Sequence, residues 1–257
     1  MATQVDIKEL LAAGAHFGHK TSRWHPKMAP YIHSKRGGSH IIDLTKTVEG
    51  LESALEFITK TTSEGKQILL VSTKRQAADI VLATAEATNM PFVVNRWLGG
   101  MMTNQKTIGE RVKHLKSLEE RMANGELAAK YNKLEVQRFQ EEIEAMNVLY
   151  GGIKNMAARV GAVFVVDIQN DKNAVAEAIK LGIPVVAIVD TNVDPTDITY
   201  PIPGNDDAAK ALKLILGYIE SAISEGKGLS ASKQETVTAP KGDETEKVIV
   251  AAVKGNG

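Results

Sequence analysis

Gln67-Ile-Leu-Leu-Val-Ser72, the polar turn Thr73-Lys-Arg75, an amphipathic stretch to Thr88 and then Phe92-Val-Val94 decide the fold. Ile68–Val71 is apolar at every position, so both faces of this strand must be covered. The residues after it step with helical periodicity instead of alternating. Ala162–Val166 and Val185–Val189 are runs of the same kind, short, apolar and β-branched. Amphipathic segments near 44–63, 75–88, 174–181 and 206–223 lie between or beside these four strands. Strand and helix in alternation predict βαβ units and an α/β fold, with a Rossmann-like or flavodoxin-like parallel sheet.

One region interrupts the alternation. Between Thr103 and Tyr150 no strand pattern occurs; Ile108, Val112, Leu115, Leu118 and Met122 form one narrow apolar seam, and Phe139, Ile143, Met146 and Tyr150 form another. Seams of this spacing predict an inserted antiparallel coiled-coil helical hairpin over 104–150, turning at Asn124-Gly125-Glu126. Eight basic and eight acidic residues in that span imply a solvated, ion-paired exterior. The insertion reads equally as a structural arm or as a contact for a partner. The α/β domain is then discontinuous, 1–103 and 151–225. Residues 226–257, rich in Lys, Ser, Thr, Glu and Gly, read as a flexible C-terminal tail, with a late apolar patch at Val248–Val253.

Composition narrows the function. The chain has 257 residues, 43% hydrophobic and 24% charged, with a formal net charge of zero. That zero conceals a division: residues 1–114 carry a net +5 and residues 115–257 a net −5. A segregated basic part can steer a polyanion even on a neutral protein. The absence of cysteine excludes disulfides and thiolate metal sites, and fits a reducing cytoplasm. The N-terminus has no apolar h-region of a signal peptide, and no apolar run is long enough for a membrane span.

Enzyme signatures fail one by one. There is no Walker-type glycine loop and no Gly-x-Ser-x-Gly elbow. The nearest dinucleotide fingerprint, at Gly226–Ala231, follows a helix where it must follow a strand. Asp190-Thr-Asn192-Val-Asp194 opens like a calcium loop, but Pro195 and Pro201 occupy the positions that need glycine and glutamate. Asx-turn chemistry accounts for these residues better than a magnesium site. The carboxylates of Gly204-Asn205-Asp206-Asp207 read as helix caps. No catalytic residue, cofactor or small-molecule substrate is expected.

What remains distinctive is a window of 33 residues, Leu10 to Ile42, without an acidic side chain. It holds Lys20, Arg23, Lys27, Lys35 and Arg36, five of the six histidines, and the aromatics Phe17, Trp24 and Tyr31. Positive charge, hydrogen-bond donors and flat stacking faces suit phosphates and bases. His16 and His19 fit hydrogen bonding to RNA, or packing, better than a metal site, whose usual ligand spacing is missing. Phe17, Trp24 and Tyr31 read either as stacking groups or as anchors to the core. Lys74 and Arg75 follow a strand and open a helix, an anion-binding position. Arg96-Trp97-Leu-Gly-Gly100 adds another cation, with Trp97 as core plug or stacking platform.

Taken with Leu10-Leu-Ala-Ala-Gly-Ala-His-Phe-Gly-His19, Arg23-Trp-His-Pro-Lys-Met28, Gly182-Ile-Pro-Val185, Asp190-Thr-Asn192 and Pro201-Ile-Pro-Gly-Asn-Asp-Asp207, these segments strongly resemble small-subunit ribosomal protein two, the universal uS-two family in its bacterial form. The resemblance spans about residues 5–225. It implies a Rossmann-like domain with a coiled-coil insertion and no catalysis. It also implies a structural place on the cytoplasmic small ribosomal subunit, against the large rRNA between head and body. The implied partners are that rRNA and neighbouring ribosomal proteins, including the large mRNA-binding protein one that the family helps to anchor, with no membrane. The RNA contacts expected are His16, His19, Lys20, Arg23, Trp24, Lys27, Lys35, Arg36, Lys74, Arg75 and Arg96.

Overall fold

The computed structural model describes residues 5–238, with side chains through Ser230. Its centre is a five-stranded, all-parallel sheet made of β4 (Ile68–Val71), β5 (Phe92–Val93), β6 (Ala162–Val165), β7 (Val185–Val189) and β8 (Tyr200–Pro203). The strand order is β5-β4-β6-β7-β8. Counted within this sheet, that is the flavodoxin-like order, with its switch point between β4 and β6.

Strict alternation divides the strands between two cores. Ile68, Leu70, Phe164, Val186 and Ile188 face α2 (Leu44–Ser63), α3 (Arg75–Thr88) and α8 (Ala209–Thr238). Leu69, Val71, Val163, Val165 and Val185 face the other way, against α7 (Lys172–Lys180), Trp97, Met101 and Met102. Both faces are dry, which is why the strands carry no polar alternation.

β8 was not expected as a strand because it contains Pro201 and Pro203. It is an edge strand that pairs with β7 alone. Proline has no N–H to give, so both prolines fit where the ladder has no further neighbour.

The acid-free window also folds into more than was anticipated. After α1 (Ile7–Ala13), β1 (Phe17–Lys20), β2 (Ile32–Arg36) and β3 (Ser39–Ile42) form a three-stranded antiparallel sheet in the order β1-β3-β2. Two 3-10 turns, Thr21–Arg23 and Pro26–Tyr31, link β1 to β2. The small sheet sits on the loop that follows β7. A side chain at Gly18 would overlap Thr191, and the His25 amide donates to the Thr191 carbonyl at 2.7 Å.

The insertion is α4 (Gln105–Ala123) and α6 (Lys133–Tyr150), packed through Leu115, Leu118 and Ile143. The turn is longer than the expected three residues. α5 (Glu126–Lys130) begins at the last residue of the expected turn and buries Leu127 completely.

The expected tail boundary is corrected as well. α8 runs through Gly226 to Thr238. Gly226 lies so close to Thr59 and Thr62 of α2 that a Cβ would overlap them, and the Lys227 ammonium donates to the Thr88 carbonyl. Gly226 thus permits close helix packing and does not end the helix. Residues 239–257, with the Val248–Val253 patch, lie outside the described residues.

Candidate nucleic-acid interface

Ligands of open parallel sheets bind beyond the carboxyl ends of the strands, at the switch point. Here that place is filled from within. The Lys74 ammonium, beyond β4, lies 2.7 Å from Asp207 Oδ1, 2.9 Å from Asp206 Oδ1 and 3.3 Å from Asp167 Oδ2. Its side chain is 12% exposed. Burial alone would lower the Lys74 pKa, but the carboxylates of Asp207 and Asp206 more than reverse this and hold it above its ordinary value. Burial, and then repulsion from Asp190, push the Asp206 carboxyl up to about 7 against the opposing pull of Lys74. Lys74 was expected to meet RNA phosphate. It is instead the half-buried counter-ion of a carboxylate cluster made of the buried Asp167 and Asp206 and the exposed Asp207.

His19 joins that cluster from the N-terminal sheet. Its Nδ1 is 3.0 Å from Asp190 Oδ2 and its Nε2 3.6 Å from Asp207 Oδ2. Its backbone N–H donates to Thr191 Oγ1 at 2.9 Å. The hydrogen bond to Asp190 raises the His19 pKa, with burial opposing. This histidine therefore fastens the small sheet to the large one. His19, Asp206 and Asp207 bring one ligand atom each within 4.8 Å of one another, so these three could hold a divalent cation. Ahead of α8 Asn205 forms an Asx turn, its Oδ1 accepting from the Asp207 and Ala208 amides. The neighbouring carboxylates, read from sequence as caps, face Lys74.

The other cations are arranged differently. Lys20, Arg23, Lys35, Arg36, Arg75 and Arg96 are all exposed, and none pairs with a carboxylate among the described residues. Lys20 and Arg36 both lie opposite Ser39 in the small sheet, so they share one row and one face. Lys20 and Arg23 line a cleft of about 410 Å³ whose wall also includes His19 and the carboxylates of Asp190 and Asp207. Arg75 opens α3 beyond β4, and Arg96 follows β5. Lys27 is exposed but pairs with Asp194 at 2.8 Å and with Thr196 Oγ1 at 2.8 Å. These contacts hold the Asp194 carboxyl below its ordinary range. Asp194 Oδ1 also accepts from the Thr196 amide, the Asx turn read from the sequence.

The aromatic alternatives separate cleanly. Tyr31 packs with Met28 on Val189 and Val193 as an anchor. Phe17 and Trp24 stay exposed. The half-buried His16 ring lies 4.0 Å from that of Phe17. Trp97 is a core plug, and its Nε1 donates to Glu177 Oε1 at 3.1 Å. The same carboxylate accepts from the amides of Gly100, Met102 and Thr103 and from the Thr103 hydroxyl, at 2.7 to 3.0 Å. Burial opposes the charge, but these donors keep the Glu177 pKa low. One residue of α7 thus fixes the loop that carries Arg96 and leads into α4.

Sequence reading missed Asp167 and Glu177. Asp167 follows an apolar strand just as Asp190 does, a legible sign of a carboxylate at a strand end. Glu177 sits in an ordinary amphipathic helix and gives no such sign.

The strand edge thus holds carboxylates met by Lys74 and His19 and, beside them, exposed cations without a carboxylate partner among the described residues. Residues 10–226 match the model of a family described as Ribosomal protein S2, a structural and non-enzymatic family of the small ribosomal subunit that acts in translation. The match takes in the parallel sheet, the small sheet, the helical insertion and more than half of α8, and the chain belongs to the ribosomal protein S2 family.

Proposed function

We propose that this chain binds folded small-subunit rRNA with Lys20, Arg23, Lys35, Arg36, Arg75 and Arg96, helped by Lys27, His16 and the exposed Trp24. One observation carries this reading: these six cations are exposed and pair with no carboxylate among the described residues, while the nearby carboxylates are met by Lys74 and His19. Lys74 and His19 serve the site from behind, by holding its parts together. Phosphate contacts position a protein without reading sequence, so the recognition is of RNA shape. Neighbouring ribosomal proteins, including the large mRNA-binding protein one, complete the partners in the cytoplasm. The helical pair α4 and α6, with Leu134 and Val148 exposed on it, is the surface for a protein neighbour.

The test is rebinding of the full chain to small subunits depleted of it, over a range of salt. Each true phosphate contact removed should flatten the slope of log affinity against log salt by about 0.7–0.9. Arg23→Ala and Arg36→Ala should each do so. If both retain the unmodified slope, the face is misassigned.

A further inference from the structure

His40, in β3, is 1% exposed, and both of its ring nitrogens are buried without a hydrogen-bond partner. Burial and, after it, the Lys35 ammonium lower its pKa, so the ring is neutral and carries one stranded donor and one stranded acceptor. Buried polar groups in native proteins are nearly always paired, and each exception calls for a reason. Trp24 lies with its centroid 5.3 Å from that of His40, tilted by 37°, and is itself 38% exposed. Lys35, directly opposite His40 in the sheet, places its ammonium 5.9 Å from the Trp24 ring. Trp24 has extended backbone between two 3-10 turns, outside any sheet or α-helix.

We propose that His40 is a nucleotide-binding residue kept covered in the free chain: on docking, Trp24 turns outward onto a base of the rRNA, and the uncovered imidazole hydrogen-bonds the same nucleotide. Stacking on an aromatic ring beside a polar donor and acceptor is how unpaired bases of folded RNA are recognised. The adjacent Lys35 supplies the phosphate contact. A position needed only for packing would gain by carrying a ring without nitrogens, so the stranded pair points to a partner outside the protein.

This inference rests on the RNA reading above and is tested apart from it. His40→Phe keeps a ring beneath Trp24 and removes both nitrogens. The free variant should melt at the same temperature as the unmodified chain or higher, yet rebind depleted small subunits about tenfold more weakly, the loss expected for one hydrogen bond. A second measurement needs no variant at position 40. The full chain labelled with 5-hydroxytryptophan, excited apart from the tryptophans of other proteins, should change its emission on rebinding, and Trp24→Phe should abolish that change. Unmodified affinity in His40→Phe, or unchanged emission on binding, overturns the inference and leaves the RNA reading standing. Rebinding of the unmodified chain without salt dependence overturns the RNA reading, and this inference with it.

Discussion

Lys74 and Arg75 are neighbours in the chain and opposites in the molecule. The first lies among three carboxylates beyond β4, while the second stands exposed at the start of α3. The same contrast runs along the whole strand edge, with His19 and Lys74 turned inward and Lys20, Arg23, Arg36 and Arg96 turned outward. A positive residue beside a strand end is thus no proof of positive surface. What decides is whether the next strands also end in carboxylates, and here β6, β7 and β8 are followed by Asp167, Asp190 and Asp206.

The sharpest way to break this contrast is to remove each neighbour in turn. Lys74→Met leaves buried carboxylates uncompensated and should lower unfolding free energy by about 3–5 kcal/mol. Arg75→Ala should stay within about 0.5 kcal/mol. Equal effects in urea unfolding would erase the distinction. Glu177→Ala comes next, because it orphans the Trp97 indole and several loop amides; a loss of about 2–3 kcal/mol is expected. Glu177→Gln, which keeps an acceptor, should lose less.

Acidity sharpens the same contrast. Asp206 has an ordinary value of 3.8 in the unfolded chain and about 7 when folded. Between those values the folded chain holds a proton that the unfolded chain has released. Stability present at pH 4 is therefore lost progressively as pH rises to about 7, on the order of 4 kcal/mol. His19, raised by Asp190, acts in the same direction. Unfolding monitored from pH 5 to pH 8 should show the decline, and Asp206→Asn should flatten it. The smallest effect belongs to Arg36→Ala: within about 0.5 kcal/mol on stability, with its consequence confined to the salt dependence of rebinding.

The large sheet was legible in the sequence because strands buried on both faces cannot hide. Ile68–Val71 and Val185–Val189 read as apolar at every position, and α2 and α3 occur at the residues their periodicity implied. β8 escaped because two prolines mask a strand that needs only one neighbour. The small sheet escaped because β2, Ile-His-Ser-Lys-Arg, is exposed along most of its length and shows no apolar alternation. The start of the expected tail misled in the opposite sense: its composition suggested flexibility, but Gly226 is a contact point between helices. Within the site, the acid-free window showed where positive charge gathers. It could not show that His19 would meet Asp190, a pairing across 171 residues that only the folded topology creates.

The margins of the large sheet bear on how the free chain meets copies of itself. One margin is β5, two residues long, and the other is β8, with prolines at alternate positions. Free backbone donors along an outer strand are what let one copy of a protein recruit another into aggregates. A free copy of the chain presents almost none of them at these two margins, so neighbouring copies have little there with which to zip together.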